Sequence, residues 1–113
     1  MKRHCLTLDL KEDEQLIKEY EYWHKPENIW PEIVAGIKRA GILDMQIYRW
    51  ETRMFMILDV PDDFDFEKDM KKLSAMPRQQ EWEIFMDKFQ QRISGMPGEK
   101  WVMMKNIFSL IDT

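Results

Sequence analysis

The fold is decided by residues 42–60, which read ILDMQIYRWETRMFMILDV. This stretch predicts two strands, Ile42 to Trp50 and Arg53 to Val60, joined by a tight turn at Glu51 and Thr52. In the second strand one set of side chains alternates with another: Met54, Met56, Leu58 and Val60 against Phe55, Ile57 and Asp59. Successive side chains of a strand point to opposite faces, so the stretch predicts a β-hairpin with one face toward a core.

A strand and a helical region are expected before the hairpin. Arg3 to Leu10 predicts a half-buried strand, because Leu6, Leu8 and Leu10 fall on one face and Cys5, Thr7 and Asp9 on the other. A helical tract should begin near Lys11, where the acids that follow suit the positive end of a helix dipole. It is expected to be interrupted around Pro26 and Pro31 and to end at Gly41.

Two more helices and a strand are expected after the hairpin. Phe64 to Ala75 predicts a short helix, and Gln79 to about Ser94 predicts a second one. Gly95 to Gly98 predicts a turn, and Trp101 to Leu110 predicts the last strand. The resulting order, βαββαβ, is the ferredoxin-like α+β arrangement, an antiparallel sheet with helices on one face.

Chain length limits what this fold can cover. With 113 residues the whole chain, 1–113, is expected to form a single domain. No further element remains to cover the second face of the sheet, which would be left apolar and exposed. Two such sheets facing each other would bury both faces, so we expect a homodimer.

Composition narrows the class of function. The net charge of −4, with acids and bases interspersed, argues against a nucleic-acid partner, which needs a concentrated basic surface. The two histidines, His4 and His24, are far apart and no paired spacing predicts a metal site. Cys5 is the single cysteine, so no intramolecular disulfide can form. No membrane span and no secretion signal are predicted, and we expect a cytoplasmic protein.

The candidate functional stretch is Tyr20 to Glu32. If Tyr20 lies on a helix, His24 follows one turn later on the same face, so a phenol and an imidazole can meet one small polar ligand. Three more rings, Tyr22, Trp23 and Trp30, lie close in sequence, and flat rings can stack on the apolar face of a sugar. The alternative for His24 is a helix-end histidine stabilised near the carbonyl end of the dipole.

This stretch resembles the L-rhamnose mutarotase family, whose members interconvert the α and β anomers of a deoxyhexose. The resemblance lies in Tyr20, in His24 four residues later and in Ile29-Trp30-Pro31-Glu32, with two more residues between His24 and Trp30 than in the better-known bacterial members. It implies that His24 is the proton donor, that Tyr20 binds the sugar, and that the protein is a dimeric α+β barrel without a cofactor.

A second resemblance surrounds Trp82. The stretch RQQEWEIFM, residues 78–86, is similar to the part of the family that holds two adjacent sugar-binding tryptophans. Here Trp82 matches the first of these tryptophans, and Glu83 stands where the second would be. Met45 stands where the family has a tyrosine, and Tyr48 on the same hairpin could partly replace that ring. We therefore expect Trp82, Glu83, Met45 and Tyr48 to contact the substrate.

These observations lead to three functional hypotheses. The first is a cofactor-free aldose mutarotase that acts on a 6-deoxyhexose, L-rhamnose before L-fucose, with His24 transferring the proton. The second is a cofactor-free monooxygenase of the related dimeric α+β barrels, which an apolar, methionine-rich interior would suit. The third is a non-catalytic module that binds a small ligand.

Overall fold

The computed structural model describes residues 1–93 and 100–112. In this part of the chain four helices and five strands follow one another, and a 3₁₀ helix comes last. The elements are β1 (Lys2–Leu10), α1 (Glu14–Trp23), α2 (Pro31–Arg39), β2 (Asp44–Trp50), β3 (Arg53–Val60), α3 (Phe66–Ser74), α4 (Gln79–Asp87), β4 (Gln90–Gln91), β5 (Val102–Met104) and the 3₁₀ helix Leu110–Asp112.

The strands form one antiparallel sheet in the order β2-β3-β1-β4, and β5 pairs with β1 beside β4. The hairpin is in register, because Met56 lies opposite Ile47 on β2 and opposite Leu6 on β1. The predicted ferredoxin-like α+β fold is confirmed.

The core lies between the helices and one face of this sheet, the helix-covered face. The alternating side chains of β1 and β3 point into it as expected, and each is at most 8% exposed: Leu6, Leu8, Leu10, Met54, Met56, Leu58 and Val60. Burial of an aliphatic side chain stabilises the fold by about 1.5–3 kcal/mol. These two strands therefore hold the helices against the sheet.

The predicted helical tract after β1 is divided into two helices by a cap and a proline. Helix α1 begins three residues later than expected, because the Asp13 carboxylate accepts a hydrogen bond from the Leu16 N–H and caps it. Pro31 is the first residue of α2, where its missing N–H costs nothing, and it holds Trp30 in an extended conformation. The chain between His24 and Trp30 turns the two helices onto the same side of the sheet.

The predicted helix Gln79 to Ser94 is too long. Helix α4 ends at Asp87, and Gln90–Gln91 form β4, paired with Asp9 and Leu10. The Lys11 N–H also donates to the carbonyl of Phe89, whose ring is fully buried. The edge of β1 needs hydrogen-bond partners, and this long-range pairing overrides the local helical pattern.

The last predicted strand is too long as well. Only Val102–Met104 pair with β1, and an Asn106 side-chain oxygen accepts a hydrogen bond from the Phe108 N–H, which turns the chain away from the sheet. The chain ends in the 3₁₀ helix rather than in a strand. The predicted turn Gly95 to Gly98 lies outside the described residues.

Candidate active site

The last turn of α1 brings Tyr20 and His24 together. Tyr20 is 4% exposed, and its ring lies 4.2 Å from the His24 ring, measured between centroids. His24 caps the helix: its backbone N–H donates to the Glu21 carbonyl instead of the Tyr20 carbonyl. The Tyr20 carbonyl instead accepts a hydrogen bond of 2.6 Å from Nδ1 of His24. The helix end thus satisfies a carbonyl and orients the imidazole with one interaction.

This hydrogen bond decides which nitrogen of His24 is available. A carbonyl oxygen can only accept a hydrogen bond, so Nδ1 carries a hydrogen. Nε2 is then the ring nitrogen that can interact with a ligand. Within the described residues, no protein group forms a hydrogen bond with Nε2. His24 lines a cavity, so a ligand in that cavity can exchange a proton with this nitrogen.

The cavity, here called the inner cavity, has a volume of about 130 Å³ and lies between the helices and the helix-covered face of the sheet. Its polar groups come from Tyr20, His24, Gln79, Glu83 and Gln90, and the rest of its lining is aliphatic side chains, methionines and the rings of Trp82 and Trp101. A few polar groups in an otherwise apolar cavity are typical of small-molecule sites.

A second depression, the outer groove, adjoins the inner cavity. Its volume is about 380 Å³, and it reaches Lys38 on α2 and Asp44 at the start of β2. His24 and Met45 line both spaces, together with three isoleucines. The imidazole therefore lies where the inner cavity meets the outer groove.

Aromatic contacts fix the position of Trp82. Its indole lies edge-on to the His24 ring with 5.4 Å between centroids, and edge-on to Trp30 at 5.1 Å. Trp30 itself stacks parallel to Phe85 and carries the guanidinium of Arg78 on its ring, 4.1 Å from the centroid. These contacts of Trp30 hold the Trp82 indole beside the His24 ring.

Burial sets the charge of the two central groups. Burial raises the pKa of Tyr20 to about 12, so the phenol stays neutral and keeps its hydrogen at neutral pH. Burial also lowers the pKa of His24 below its ordinary value, although the hydrogen bond to the Tyr20 carbonyl opposes this effect. At neutral pH the resting imidazole is neutral, and its protonated form is a stronger acid than ordinary imidazolium.

Two glutamines in the cavity were missed by the sequence analysis. Gln79 is buried at the start of α4, and its Nε2 donates a 2.7 Å hydrogen bond to Glu83. Gln90 on β4 donates to the Tyr20 hydroxyl over 3.4 Å. Gln79 precedes Glu83 by one helical turn, a spacing that would have identified it. Gln90 carried no such signal, because it was assigned to a helix.

The structure brings together five of the six residues predicted to form the site. Tyr20, His24, Met45, Trp82 and Glu83 all line the inner cavity.

Tyr48 does not reach the inner cavity, and the prediction that it replaces the missing ring there is wrong. It lies three residues after Met45 on the same strand and therefore points to the opposite face of the sheet. There its ring is 57% exposed, and its hydroxyl donates to the Gln46 side chain.

Two features are absent from residues 1–93 and 100–112. Within them, no group of three or more histidine, cysteine or acidic side chains is arranged to hold a metal ion. In the same ranges, no helix is long and apolar enough to cross a membrane.

Comparison with known proteins identifies the family. A family model described as L-rhamnose mutarotase matches residues 3–110. An L-fucose mutarotase from Xanthomonas campestris pv. campestris is 41% identical over 111 residues, which are 97% of this chain and 89% of that protein. The fold is shared with a crystal structure of L-rhamnose mutarotase from Formosa agariphila, at a TM-score of 0.70 and 17% identity over 97% of this chain and 99% of the other. The chain therefore belongs to the L-rhamnose mutarotase family, isomerases that interconvert the anomers of sugars.

Proposed function

We propose that the protein is a cofactor-free mutarotase of a 6-deoxy-L-hexose, with His24 as the proton-transfer group. The observation that carries the proposal is the convergence of Tyr20, His24 and Trp82 on the inner cavity. It provides an imidazole that can transfer a proton, a neutral phenol and an indole ring, which are the groups that ring opening and sugar binding require.

His24 acts at the ring oxygen of the sugar. Opening the ring breaks the bond between the anomeric carbon and the ring oxygen, places a proton on the ring oxygen and removes one from the anomeric hydroxyl. Closure on the other face of the aldehyde reverses both transfers, so no proton is consumed. Nε2 of His24 is the atom for the transfer at the ring oxygen, because Nδ1 is held by the Tyr20 carbonyl.

The sugar would occupy both spaces that His24 adjoins. Pockets for small ligands usually measure roughly 300–1,000 Å³, and the inner cavity of about 130 Å³ is smaller than this range. The outer groove adds about 380 Å³. A sugar bound across the boundary places its reacting atoms beside His24, with one end among the polar groups of the inner cavity.

Of the two candidate sugars, L-fucose comes first in this proposal and L-rhamnose second, the reverse of the order expected from the sequence. The reason is the 41% identity with a relative named L-fucose mutarotase. Met45 and Glu83, which depart from the pattern of the better-known members, both line the cavity in which the sugar hydroxyls would be bound.

Anomer exchange measured by NMR tests the function directly. Exchange spectra of L-fucose and of L-rhamnose are recorded with and without the protein, and only a mutarotase accelerates the transfer of magnetisation between the two anomers. We expect acceleration for at least one of these sugars. A folded protein that binds either sugar without accelerating exchange would instead be a binding module, and the proposal would fail.

We also propose that the protein is a homodimer joined through the open face of its sheet, the face that carries no helices. On this face Phe55 and Ile57 are only half-buried, Tyr48 opposite Phe55 is 57% exposed, and Trp50 at the end of β2 is 78% exposed. An apolar surface of this kind is unusual on a soluble monomer.

Sedimentation at micromolar concentration tests the dimer. Ile57→Lys should shift the protein toward the monomer, whereas Ser74→Lys on the outer surface of α3 should not. A wild-type protein that sediments as an active monomer contradicts this proposal.

A further inference from the structure

The amide of Gln79 is held in one orientation by a chain of charged groups. Its Nε2 donates to Oε1 of Glu83 over 2.7 Å, and Oε2 of Glu83 lies 3.3 Å from Nζ of Lys100. Lys100 also donates to the Glu83 backbone carbonyl over 2.9 Å and forms an ion pair with Asp87 at 2.8 Å. A carboxylate only accepts, so the nitrogen of the Gln79 amide must face Glu83 and its oxygen must face away.

This orientation leaves Oε1 of Gln79 without a donor. The residue is 5% exposed and lines the inner cavity, and within residues 1–93 and 100–112 no protein group donates to this oxygen. Buried acceptors in folded proteins nearly always have a partner, and leaving one unpaired is unfavourable. Oε1 of Gln90, in the same cavity, is also buried without a donor from the described residues.

Both oxygens of the Glu83 carboxylate are engaged with protein donors. One oxygen accepts a hydrogen bond from Gln79 and the other accepts from Lys100. Its place in the site is explained by what it does to Gln79: it prevents the amide from rotating.

We propose that Gln79 is a specificity-determining residue that accepts a hydrogen bond from one hydroxyl of the bound sugar, and that Glu83 is the residue that positions it. This inference rests on the proposed function. The ligand chemistry that fits is a neutral polyol, because an amide oxygen in a buried site selects for an O–H donor and disfavours an ether or a carbonyl at that position.

The first test replaces Gln79 with methionine, which is similar in shape but has no acceptor oxygen. Loss of a neutral hydrogen bond should raise KM for the sugar about fivefold to tenfold and leave kcat much less affected, since the contact is made in the ground state and the transition state alike. The midpoint of thermal unfolding reports the structural cost separately, because the substitution removes the unpaired oxygen and also the hydrogen bond from Nε2 of Gln79 to Glu83. Gln80→Met, the exposed neighbour on the same helix, is the matched control with unchanged KM.

Sugars that lack one hydroxyl identify the contact. Deoxy derivatives of the better substrate are compared for wild type and Gln79→Met. One derivative should bind wild type about fivefold to tenfold more weakly than the parent sugar and should bind Gln79→Met no more weakly than the parent. If each derivative loses the same factor in affinity with wild type and with Gln79→Met, Gln79 binds no hydroxyl and the inference is overturned.

The positioning role of Glu83 is tested by two substitutions. Glu83→Gln retains an oxygen that can accept from the Gln79 amide, so its KM should stay close to that of wild type. Glu83→Leu frees the amide and should raise KM as far as Gln79→Met does, with no further increase when the two are combined. Additive effects of Glu83→Leu and Gln79→Met would overturn the positioning role.

The outcomes for the two proposals are distinguishable. Wild-type protein that accelerates anomer exchange while Gln79→Met keeps the wild-type KM overturns the inference and leaves the proposed function intact. Wild-type protein that neither binds nor interconverts either sugar overturns the proposed function and the inference with it.

Discussion

The two faces of the sheet are built from the same strands and have opposite characters. On the helix-covered face Leu8 and Leu58 are completely buried. On the open face ion pairs lie toward both ends of β1, Arg3 with Asp59 and Arg53 with Asp9, and the apolar side chains of Phe55 and Ile57 lie between them. Helices of the same chain cover one face, whereas the other face carries charged side chains near the strand ends that are in contact with water.

This difference explains where a site can form. On the helix-covered face, helix ends and strand side chains enclose a cavity whose polar groups are shielded, which shifts the pKa values of Tyr20 and His24. On the open face the hydroxyl of Tyr48 donates a hydrogen bond to the neighbouring exposed side chain of Gln46. Five predictions test the contrast, from the largest expected effect to the smallest.

The largest effect is expected at His24. His24→Asn should lower the enzyme-dependent rate of anomer exchange by about 10²–10⁴-fold, the usual contribution of a positioned proton-transfer group, with the fold retained. His4→Asn is the matched control, since the other histidine packs edge-on to Phe66 and does not line the inner cavity. Exchange spectroscopy on both variants checks this, and equal rates for the two would contradict the assignment.

The second effect is on stability and compares two positions of β1 that lie on opposite faces of the sheet. Leu8→Ala should reduce the free energy of unfolding by about 2–5 kcal/mol, because it leaves a cavity in the core beneath the helices. Cys5→Ala removes a partly exposed side chain from the open face and should cost less than about 1 kcal/mol. Denaturant unfolding measures both. Similar losses would show that the two faces are equally buried.

The third effect compares one phenol on each face. Tyr20→Phe removes a hydroxyl from the inner cavity and should weaken sugar binding about fivefold to tenfold. Tyr48→Phe removes a hydroxyl from the open face and should leave affinity unchanged. Calorimetric titration with L-fucose and L-rhamnose gives both values, and an affinity loss confined to Tyr48→Phe would reverse our interpretation of the two faces.

The smallest effect is the dependence on pH that His24 introduces. Only the protonated ring can donate a proton to the sugar, and burial lowers the pKa of this ring from its ordinary value of 6.5. The enzyme-dependent rate should therefore rise as pH falls below neutral, and it should become constant at pH values below the lowered pKa. Rates corrected for the uncatalysed reaction check this. A rate that falls along the same range would identify His24 as a base.

Stability should respond to the same titration. The folded protein favours the neutral ring, because burial lowers the pKa of His24 below its ordinary value of 6.5. The stabilisation that comes from this preference is fully present above pH 6.5, and it is lost as pH falls through the lowered pKa of the folded state. Thermal unfolding of wild type and His24→Asn at matched pH values isolates it, because the variant lacks the titrating ring. Parallel curves for the two proteins would show that His24 contributes nothing.

The errors in the sequence analysis have identifiable causes. Met45 and Tyr48 were both assigned to the site, but they are three residues apart on one strand. Side chains an odd number of residues apart on a strand point to opposite faces of the sheet, so these two do not share a pocket. The assignment of Gln90 to a helix failed for a different reason. Its neighbours are helix formers, and only the unpaired edge of β1, some eighty residues earlier in the chain, makes a strand of it.

The sequence by itself determined the features that depend on local periodicity. Alternation along β1 and β3 specified the helix-covered face, and the four-residue spacing of Tyr20 and His24 placed both on one side of α1. The tertiary structure alone decided which groups meet across the chain. The Tyr20 hydroxyl meets Gln90, and Lys100 engages Glu83 and so orients Gln79. Such contacts depend on how helices and strand edges pack in three dimensions, and no regular spacing in the sequence encodes them.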